Sequence, residues 1–236
     1  MSRGWRAVAI AMTALALLLG AALFVLWRRH ERLRALSRDW AGVTVYAEVN
    51  RRDAAGQGGF VLIGDSIAER WQLDQSFPRQ RALNRGLSSQ NTSQVLARFR
   101  SDALELHPRA IVVLAGSNDL AAGTALPEAV TRGNFQSLAE LARAQSVKLV
   151  VVSVLPTFPD AKGLPWRSND RIAELNRWLR DFAAKQGIEY ADCYSAMVAP
   201  GGQLRREFSD DGLHPNAAGF RAMTPIVQAA LDRALR

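Results

Sequence analysis

The sequence predicts an α/β fold in which a parallel β-sheet is covered by helices on both faces. Short, strongly apolar runs alternate with longer amphipathic segments from residue 60 to the end of the chain. Strands that are buried on both faces of a parallel sheet have this nearly continuous apolar character. The chain has 236 residues, of which 48% are hydrophobic. This is enough for one domain of about 200 residues and a further segment.

Five strands and five helices are expected in alternation. Glycines within residues 50–59 indicate a flexible lead-in to the first strand. The helix at 92–106 has the clearest pattern, because its apolar side chains recur at helical spacing and Pro108 follows it. In chain order the expected strands are residues 60–63, 82–84, 110–114, 147–155 and 188–190. The expected helices are residues 67–73, 92–106, 127–145, 168–186 and 216–235.

An apolar segment near the N-terminus predicts a membrane anchor. Residues 7–27 are 21 positions without a charge, rich in Ala and Leu. As a helix rising about 1.5 Å per residue they span a hydrocarbon core of about 30 Å. Trp5 and Trp27 flank the segment, as interfacial aromatic residues do. A cleaved signal peptide is the alternative, but Phe24-Val25-Leu26-Trp27 lacks the small residues of a cleavage site.

The charge distribution separates the N-terminal part from the rest of the chain. The formal net charge is +8, and residues 1–40 hold seven arginines against Glu31 and Asp39, which leaves 8 − 5 = +3 for the remainder. No basic stripe interleaved with aromatic residues occurs, so we expect no nucleic-acid partner. Cys193 is the only cysteine, which excludes an intrachain disulfide and favours a small buried side chain.

The expected organisation follows from these observations. Arginines with Leu33 and Leu36 at a spacing of three predict a juxtamembrane helix directly after the anchor. We therefore expect a basic region at residues 1–6, a transmembrane anchor at 7–27, a juxtamembrane helix and lead-in at 28–58, and a folded domain at 59–236.

A serine, a histidine and a carboxylate occur in positions that favour nucleophilic catalysis. Gly64-Asp65-Ser66-Ile67 follows the first strand, on the turn into a helix, where a serine hydroxyl is exposed and rigidly held. Asp211 and His214 are three residues apart, so one short loop can present both. A serine becomes a strong nucleophile when an imidazole takes its proton, and a carboxylate fixes the tautomer of that imidazole.

Two further segments supply hydrogen-bond donors for an oxyanion. Asn84-Arg85-Gly86 follows the second strand and Gly116-Ser117-Asn118-Asp119 follows the third. The carboxyl ends of parallel strands meet at one edge of a sheet, where ligands bind. A glycine N–H and an asparagine amide aimed at one point there form an oxyanion hole.

Together the four blocks, ending with Asp211-Gly212-Leu213-His214, resemble those of the SGNH/GDSL hydrolases, in the order of that family. The resemblance covers roughly residues 40–236 and implies a flavodoxin-like, three-layer doubly wound sheet. It implies Ser66 as nucleophile, His214 as base and Asp211 as its orienting partner, with no cofactor or metal. It also implies an oxyanion hole made by the N–H groups of Ser66 and Gly86 and the side chain of Asn118. Ile67 stands where the family motif has leucine, a small change at an inward-facing position.

Each of these residues also has an ordinary structural interpretation. Ser66 alone could be a helix N-cap. Asp210 competes with Asp211 for the role of orienting His214. Asp210, Asp211 and His214 could also form a metal site, but the sequence has no further ligands clustered near them. Residues 156–166 follow the fourth strand on the same side as the site. In them Phe158 and Trp166 are candidate apolar contacts for substrate, with packing against the domain as the alternative.

The sequence therefore predicts an esterase that forms an acyl-enzyme and acts on short acyl chains, since no lid insertion is evident. Lysophospholipase and acyl thioesterase activities are the alternatives within the family. A membrane-tethered binding protein or scaffold, with a basic juxtamembrane segment attracted to anionic lipids, is the alternative outside it. The expected partners are a small-molecule, lipid or carbohydrate ester and, through the N-terminal helix, the membrane.

The side of the membrane is predicted differently by two arguments. Positive charges are more numerous after the anchor than before it, which places the following domain in the cytoplasm. Many anchored members of the SGNH/GDSL family act outside the cytoplasmic membrane, and on that resemblance we expect an extracytoplasmic, periplasmic domain. The positive residues are Arg3 and Arg6 before the segment and Arg28, Arg29, Arg32 and Arg34 after it.

Overall fold

A computed structural model describes residues 3–53, 58–158, 163–164 and 166–236 of the chain. The chain forms two compact units, residues 1–40 and residues 41–236. In the first unit, helix α1 runs over Arg3–Arg38 without interruption. Within it Met12–Glu31 is long and apolar enough to cross a membrane, with a mean hydropathy of 1.5. A signal sequence has the same properties. The expected Trp5 flank and residues 1–2 lie outside the described side chains.

The second unit contains a five-stranded sheet in which every strand pair is parallel. The strand order is β2-β1-β3-β4-β5, so the chain moves outward from β1 in both directions, as in a doubly wound sheet. The strands are β1 Phe60–Gly64, β2 Ala82–Gly86, β3 Ala110–Leu114, β4 Lys148–Val152 and β5 Glu189–Ala191. The predicted fold class is confirmed. The fourth strand is shorter than expected, although its continuation to Leu155 stays buried.

Helices cover both faces of the sheet. Apolar side chains alternate along β1, with Phe60 and Leu62 in the core on one face and Val61 and Ile63 in the core on the other. Burial of each such side chain contributes about 1.5–3 kcal/mol. The helices of this unit are α2 Ala47–Asp53, α3 Ser66–Glu69, α4 Leu73–Ser76, α5 Thr92–Asp102, α6 Glu128–Ala144, α7 Asn169–Gln186, α8 Cys193–Met197 and α9 Ala217–Ala234.

Two predicted helices are divided in the structure. The segment expected as one helix at 67–73 forms α3 and α4, because the backbone leaves the helical conformation at Gln72. Helix α5 ends at Asp102, and a 3₁₀ turn over Leu104–Leu106 follows, because Ala103 departs from helical dihedral angles. Both interruptions lie where buried side chains continue on either side of the break.

The lead-in before β1 contributes to the second unit. Helix α2 extends into the residues expected to be flexible, 50–59, and Asn50 in it is buried. Tyr46 Oη donates a hydrogen bond to Gly86 O at 2.6 Å, and Gln90 Nε2 donates one to Ala41 O at 2.6 Å. These polar contacts bring the start of the compact unit to residue 41, before the boundary expected at residue 59. Residues 54–57 of the lead-in lie outside the described residues.

Candidate active site

The turn from β1 into α3 holds Ser66 as the first residue of a short helix. Asp65 is its N-cap, and Asp65 Oδ1 accepts a hydrogen bond from Ile67 N at 2.9 Å. Gly64 must be glycine, because a Cβ there would overlap the carbonyl oxygen of Leu114 on the neighbouring strand. The buried Arg98 donates from Nη2 to Gly64 O at 2.9 Å, which holds the turn from below. Ser66 is 9% exposed.

Ser66, His214 and Asp211 form a continuous chain of hydrogen bonds. Ser66 Oγ lies 2.9 Å from His214 Nε2, and His214 Nδ1 lies 2.6 Å from Asp211 Oδ2. Because a carboxylate only accepts, we assign the ring proton to Nδ1, which leaves Nε2 as the acceptor for the serine proton. The arrangement has the geometry that a general base and its orienting group require.

Backbone groups hold the Asp211 carboxylate in place. Its Oδ1 accepts hydrogen bonds from the N–H groups of Leu213 at 2.9 Å and His214 at 2.8 Å. Burial raises the pKa of Asp211, but these bonds and the contact with the imidazole outweigh it and set the pKa at about 2. The side chain is therefore ionised over the whole physiological range. Asp210, the competing acid, instead accepts a hydrogen bond from Asn216 Nδ2 at 3.2 Å.

Asn118 lies beside Ser66 in the wall of the same cavity. Its Nδ2 donates to Gln90 O at 2.9 Å, and its Oδ1 accepts from Arg167 Nη2 at 2.8 Å. Within the described part of the chain, the second hydrogen of Nδ2 has no acceptor. That hydrogen is the one available to a substrate oxyanion.

The structure does not bring Gly86 to this cavity. Gly86 N–H donates to Asn84 Oδ1 at 2.8 Å, and a Cβ on Gly86 would overlap the main-chain nitrogen of Glu69. The glycine therefore permits close packing of β2 against α3, which corrects the expected donor role. Ser89, three residues later, lies in the cavity wall with a positive φ of 65°. No described residue accepts a hydrogen bond from Ser89 N–H or from Ser66 N–H.

The cavity beside Ser66 is small, and its wall combines polar and apolar side chains. Its volume is about 390 Å³. Leu164, Ala121 and Leu213 supply apolar surface, and the other described residues in its wall include Ser89, Asn91, Gln94, Asn118, Thr124 and Arg167. A cavity of this size suits a short acyl group better than a long alkyl chain.

Neither of the two aromatic candidates lies among the described residues of the cavity wall. Phe158 packs against Gly212, and its N–H donates to Gly212 O at 2.9 Å, so it supports the Asp211–His214 loop from behind. Trp166 is 58% exposed, and its carbonyl oxygen accepts from Ala122 N at 2.9 Å. Residues 159–162 and 165 of the expected wall lie outside the described residues.

Arg167, like Ser89, is a residue of this site that sequence reasoning missed. It lies one position beyond the segment expected to form the wall, in the loop before α7, and no motif marks it. The carboxylates, histidines and cysteine of the described residues form no group of three that could hold a metal ion. Cys193 lies in the core, where burial raises the pKa of its thiol.

Comparison with known proteins gives one family. The model of the GDSL-like lipase/acylhydrolase family matches residues 62–222. A candidate acylhydrolase from Bacteroides fragilis is 32% identical, with a TM-score of 0.74, over 84% of this chain and 99% of that one. A GDSL-like lipase from Bacteroides thetaiotaomicron is 31% identical, with a TM-score of 0.72, over 83% and 99%. The lipase/acylhydrolase from Enterococcus faecalis, 23% identical over 77% and 98% with a TM-score of 0.67, shares the fold. No curated protein matches the sequence.

Proposed function

Because this chain belongs to the GDSL-like lipase/acylhydrolase family and is a serine hydrolase that acts on esters, we propose that Ser66, His214 and Asp211 are its catalytic triad. The observation that supports this assignment most strongly is the chain of hydrogen bonds from Ser66 Oγ through His214 to Asp211, at 2.9 and 2.6 Å. A nucleophile, a base and an orienting acid in contact are the minimum set for acyl transfer.

The reaction proceeds through an acyl-enzyme. Ser66 Oγ attacks the ester carbonyl while His214 Nε2 takes the serine proton, and Asp211 stabilises the resulting imidazolium. The oxyanion is bound by Ser66 N–H and by the free hydrogen of Asn118 Nδ2, with Ser89 N–H in place of Gly86 as the third donor. His214 then protonates the leaving alcohol, and water repeats the two steps to release the acid.

We propose that the preferred substrates are esters of short acyl chains. The small volume of the cavity beside Ser66 supports this choice over lysophospholipase or acyl thioesterase activity. The test is hydrolysis of p-nitrophenyl esters from acetyl to palmitoyl by the full chain in detergent, with Ser66→Ala as control. Fastest turnover of acetyl or butyryl esters, lost in Ser66→Ala, is the expected result. A palmitoyl optimum would contradict the short-chain assignment, and turnover that survives Ser66→Ala would contradict the triad.

We also propose that residues 7–27 anchor the chain in a membrane and that the catalytic domain is extracytoplasmic. The support is the long apolar helix near the N-terminus together with the family resemblance, against the distribution of positive charges. Alkaline phosphatase fused after Arg236 should be active, because this enzyme folds only outside the cytoplasm. An inactive fusion would place the domain in the cytoplasm.

A further inference from the structure

A buried arginine forms part of the wall beside Ser66. Arg167 is 5% exposed, and its guanidinium donates from Nε to Ser117 O and from Nη2 to Asn118 Oδ1, both at 2.8 Å. A buried charge carries a large desolvation cost. The two bonds join the loop before α7 to the loop after β3, at the residue whose amide faces the reacting carbonyl.

The contacts of Asn118 determine which way its amide points. An asparagine side chain has two nearly equivalent orientations that exchange its oxygen and nitrogen. A guanidinium only donates, so Arg167 selects the orientation with Oδ1 towards itself. A carbonyl only accepts, so Gln90 O selects Nδ2 on the opposite side at 2.9 Å. With both edges held, the remaining Nδ2 hydrogen has one fixed direction.

The charge of Arg167 adds a second effect. A cation that donates to an amide oxygen withdraws electron density from the amide, which makes the remaining N–H a stronger donor. The donor is thereby oriented before substrate arrives, so no reorganisation is needed as negative charge develops.

We propose that Arg167 is the positioning residue of the oxyanion hole and that it acts on catalysis through Asn118. This inference rests on the proposed function, because it assigns Asn118 to the oxyanion. A purely structural role, in which Arg167 only ties the two loops together through Ser117 O, predicts a different outcome in the following experiment.

The test is a double-mutant cycle on the full chain with p-nitrophenyl acetate, using Arg167→Gln, Asn118→Ala and the double variant. A misplaced catalytic group costs on the order of 10²-fold in rate. We expect Arg167→Gln to lower kcat by roughly 10- to 100-fold with KM within about twofold. The double variant should be no slower than Asn118→Ala alone. Losses that multiply in the double variant, or a loss confined to KM, would overturn the proposal.

Chemical rescue separates positioning from folding. Added guanidinium should restore part of the kcat of Arg167→Ala but none of the kcat of Arg167→Ala combined with Asn118→Ala. Equal restoration in both would overturn the proposal. Failure of the proposed function would give a different result. The Ser66→Ala variant would then hydrolyse p-nitrophenyl acetate as fast as the unsubstituted enzyme.

A second inference comes from the groove on the other side of His214. The groove lies between the α3–α4 segment and the start of α9 and has a volume of about 790 Å³, twice that of the cavity beside Ser66. It begins at the catalytic loop, because Pro215 is in its wall and Arg70 Nη1 lies 3.6 Å from Asp211 Oδ2. The groove therefore adjoins the Asp211–His214 loop, although none of Ser66, His214 and Asp211 is among its described lining residues.

The reaction assigns a role to each side of the histidine. His214 must protonate the leaving alcohol, so the alcohol part of the ester lies on the histidine side. The acyl part then lies towards Asn118, in the smaller cavity. The groove at Pro215 is thus in the position of the alcohol site.

The side chains of the groove indicate the chemistry of that alcohol. Arg221 supplies a positive charge, and Arg70 supplies a second guanidinium that is paired with Asp211 at 3.6 Å. Gln72 and Gln75 supply amides, and no acidic side chain is among the described lining residues of the groove. Guanidinium groups bind carboxylates and amides bind hydroxyls. We infer that the groove binds a polyhydroxylated alcohol that carries a negative charge, an acidic sugar, as the leaving group. This inference also rests on the proposed function.

Acetylated oligogalacturonate and an acetylated neutral xylo-oligosaccharide of equal length provide the test. We expect kcat/KM of the full chain to be at least about tenfold higher for the acidic than for the neutral substrate. Arg221→Glu should lower this ratio of kcat/KM values at least about tenfold. Each tenfold change corresponds to about 1.4 kcal/mol. Arg100→Glu, the same charge change at an exposed site on α5, should keep the ratio. An unchanged ratio in Arg221→Glu would overturn the inference. So would turnover of lysophosphatidylglycerol without turnover of the acetylated sugars. If p-nitrophenyl acetate hydrolysis depends on Ser66, the proposed function holds whether or not the inference on the acidic sugar does.

Discussion

Replacement of Asn50 by alanine should destabilise the catalytic unit strongly, although Asn50 lies in the segment before the first strand. Asn50 is 9% exposed. Its Nδ2 donates to Asp102 Oδ1 at 2.7 Å and to Ser101 O at 3.0 Å, and its Oδ1 accepts from Arg85 Nε at 2.7 Å. The side chain therefore joins α2 to α5 and to β2 in one buried polar cluster.

The magnitude follows from the two charged partners. A hydrogen bond to a charged group contributes about 1.5–3 kcal/mol, and one to a neutral carbonyl about 1 kcal/mol. The sum is an upper bound, because Asp102 keeps its ion pair with Arg98 and Arg85 keeps its ion pair with Asp53. We expect a loss of about 3 kcal/mol from the free energy of unfolding, a large part of the 5–15 kcal/mol that is typical of a domain.

Urea unfolding followed by circular dichroism measures this loss. For a unit of this size, about 3 kcal/mol lowers Tm by roughly 6–12 °C. Val49→Ala is the matched control, since Val49 is the neighbouring residue of α2 and is 42% exposed, and its change should stay within about 0.5 kcal/mol. If Asn50→Ala unfolds at the same urea concentration as Val49→Ala, the segment before β1 does not stabilise the catalytic unit and the reasoning is refuted.

Three further predictions concern the active site. Asn118→Ala should lower kcat by about 10²–10³ with little change in Tm, because it removes one oxyanion donor; near-normal turnover would exclude Asn118 from the mechanism. Ser89→Gly should raise the free energy of unfolding by about 1 kcal/mol and keep activity, because glycine adopts a φ of 65° without a steric cost; a lower Tm would contradict this. Burial raises the pKa of Asp65 to about 7, so between pH 4 and 7 the folded state binds more protons than the unfolded state. The stability advantage of the unchanged protein over Asp65→Asn should then fall as pH rises, by up to about 1.4 kcal/mol per unit in urea unfolding; a pH-independent difference would refute the shift.

Local signals in the sequence indicate the fold and the pairing of Asp211 with His214, whereas Ser66, 148 residues from His214, was expected beside the imidazole from the resemblance to the SGNH/GDSL hydrolases. The three central strands β1, β3 and β4 are apolar runs, and Ser66 stands at the first strand-to-helix turn. Asp211 and His214 are three residues apart, and the loop itself holds the carboxylate through the N–H groups of Leu213 and His214. The contacts within the Asp211–His214 loop lie in one short segment, so the residue order alone indicates them.

The lead-in before β1 could not be predicted in the same way. Glycines and arginines in residues 50–59 have the composition of a flexible linker. The residues that attach this region are polar, and their partners are distant in the chain, as Tyr46 to Gly86 and Asn50 to Asp102 illustrate. Hydrophobic periodicity contains no information on contacts of this kind.

The oxyanion hole is the part of the site for which residue type is misleading. Gly86 was expected to be an oxyanion donor because glycine permits close approach of a ligand, but in the structure it permits close approach of α3. The position with a free N–H and a positive φ is held by a serine, which tolerates that conformation at a cost of about 1–2 kcal/mol.

The direction of the Asn118 amide depends on groups from two other segments, Gln90 O and the Arg167 guanidinium. Gln90 is itself held, since its Oε1 accepts from Arg98 Nε at 2.5 Å and its Nε2 donates to Ala41 O. Arg98 also holds Gly64 O, beneath the nucleophile. One buried network thus supports both the serine turn and Asn118, the proposed oxyanion donor. Its geometry should respond to changes at Ala41 or Arg98 as well as to changes at the reacting groups.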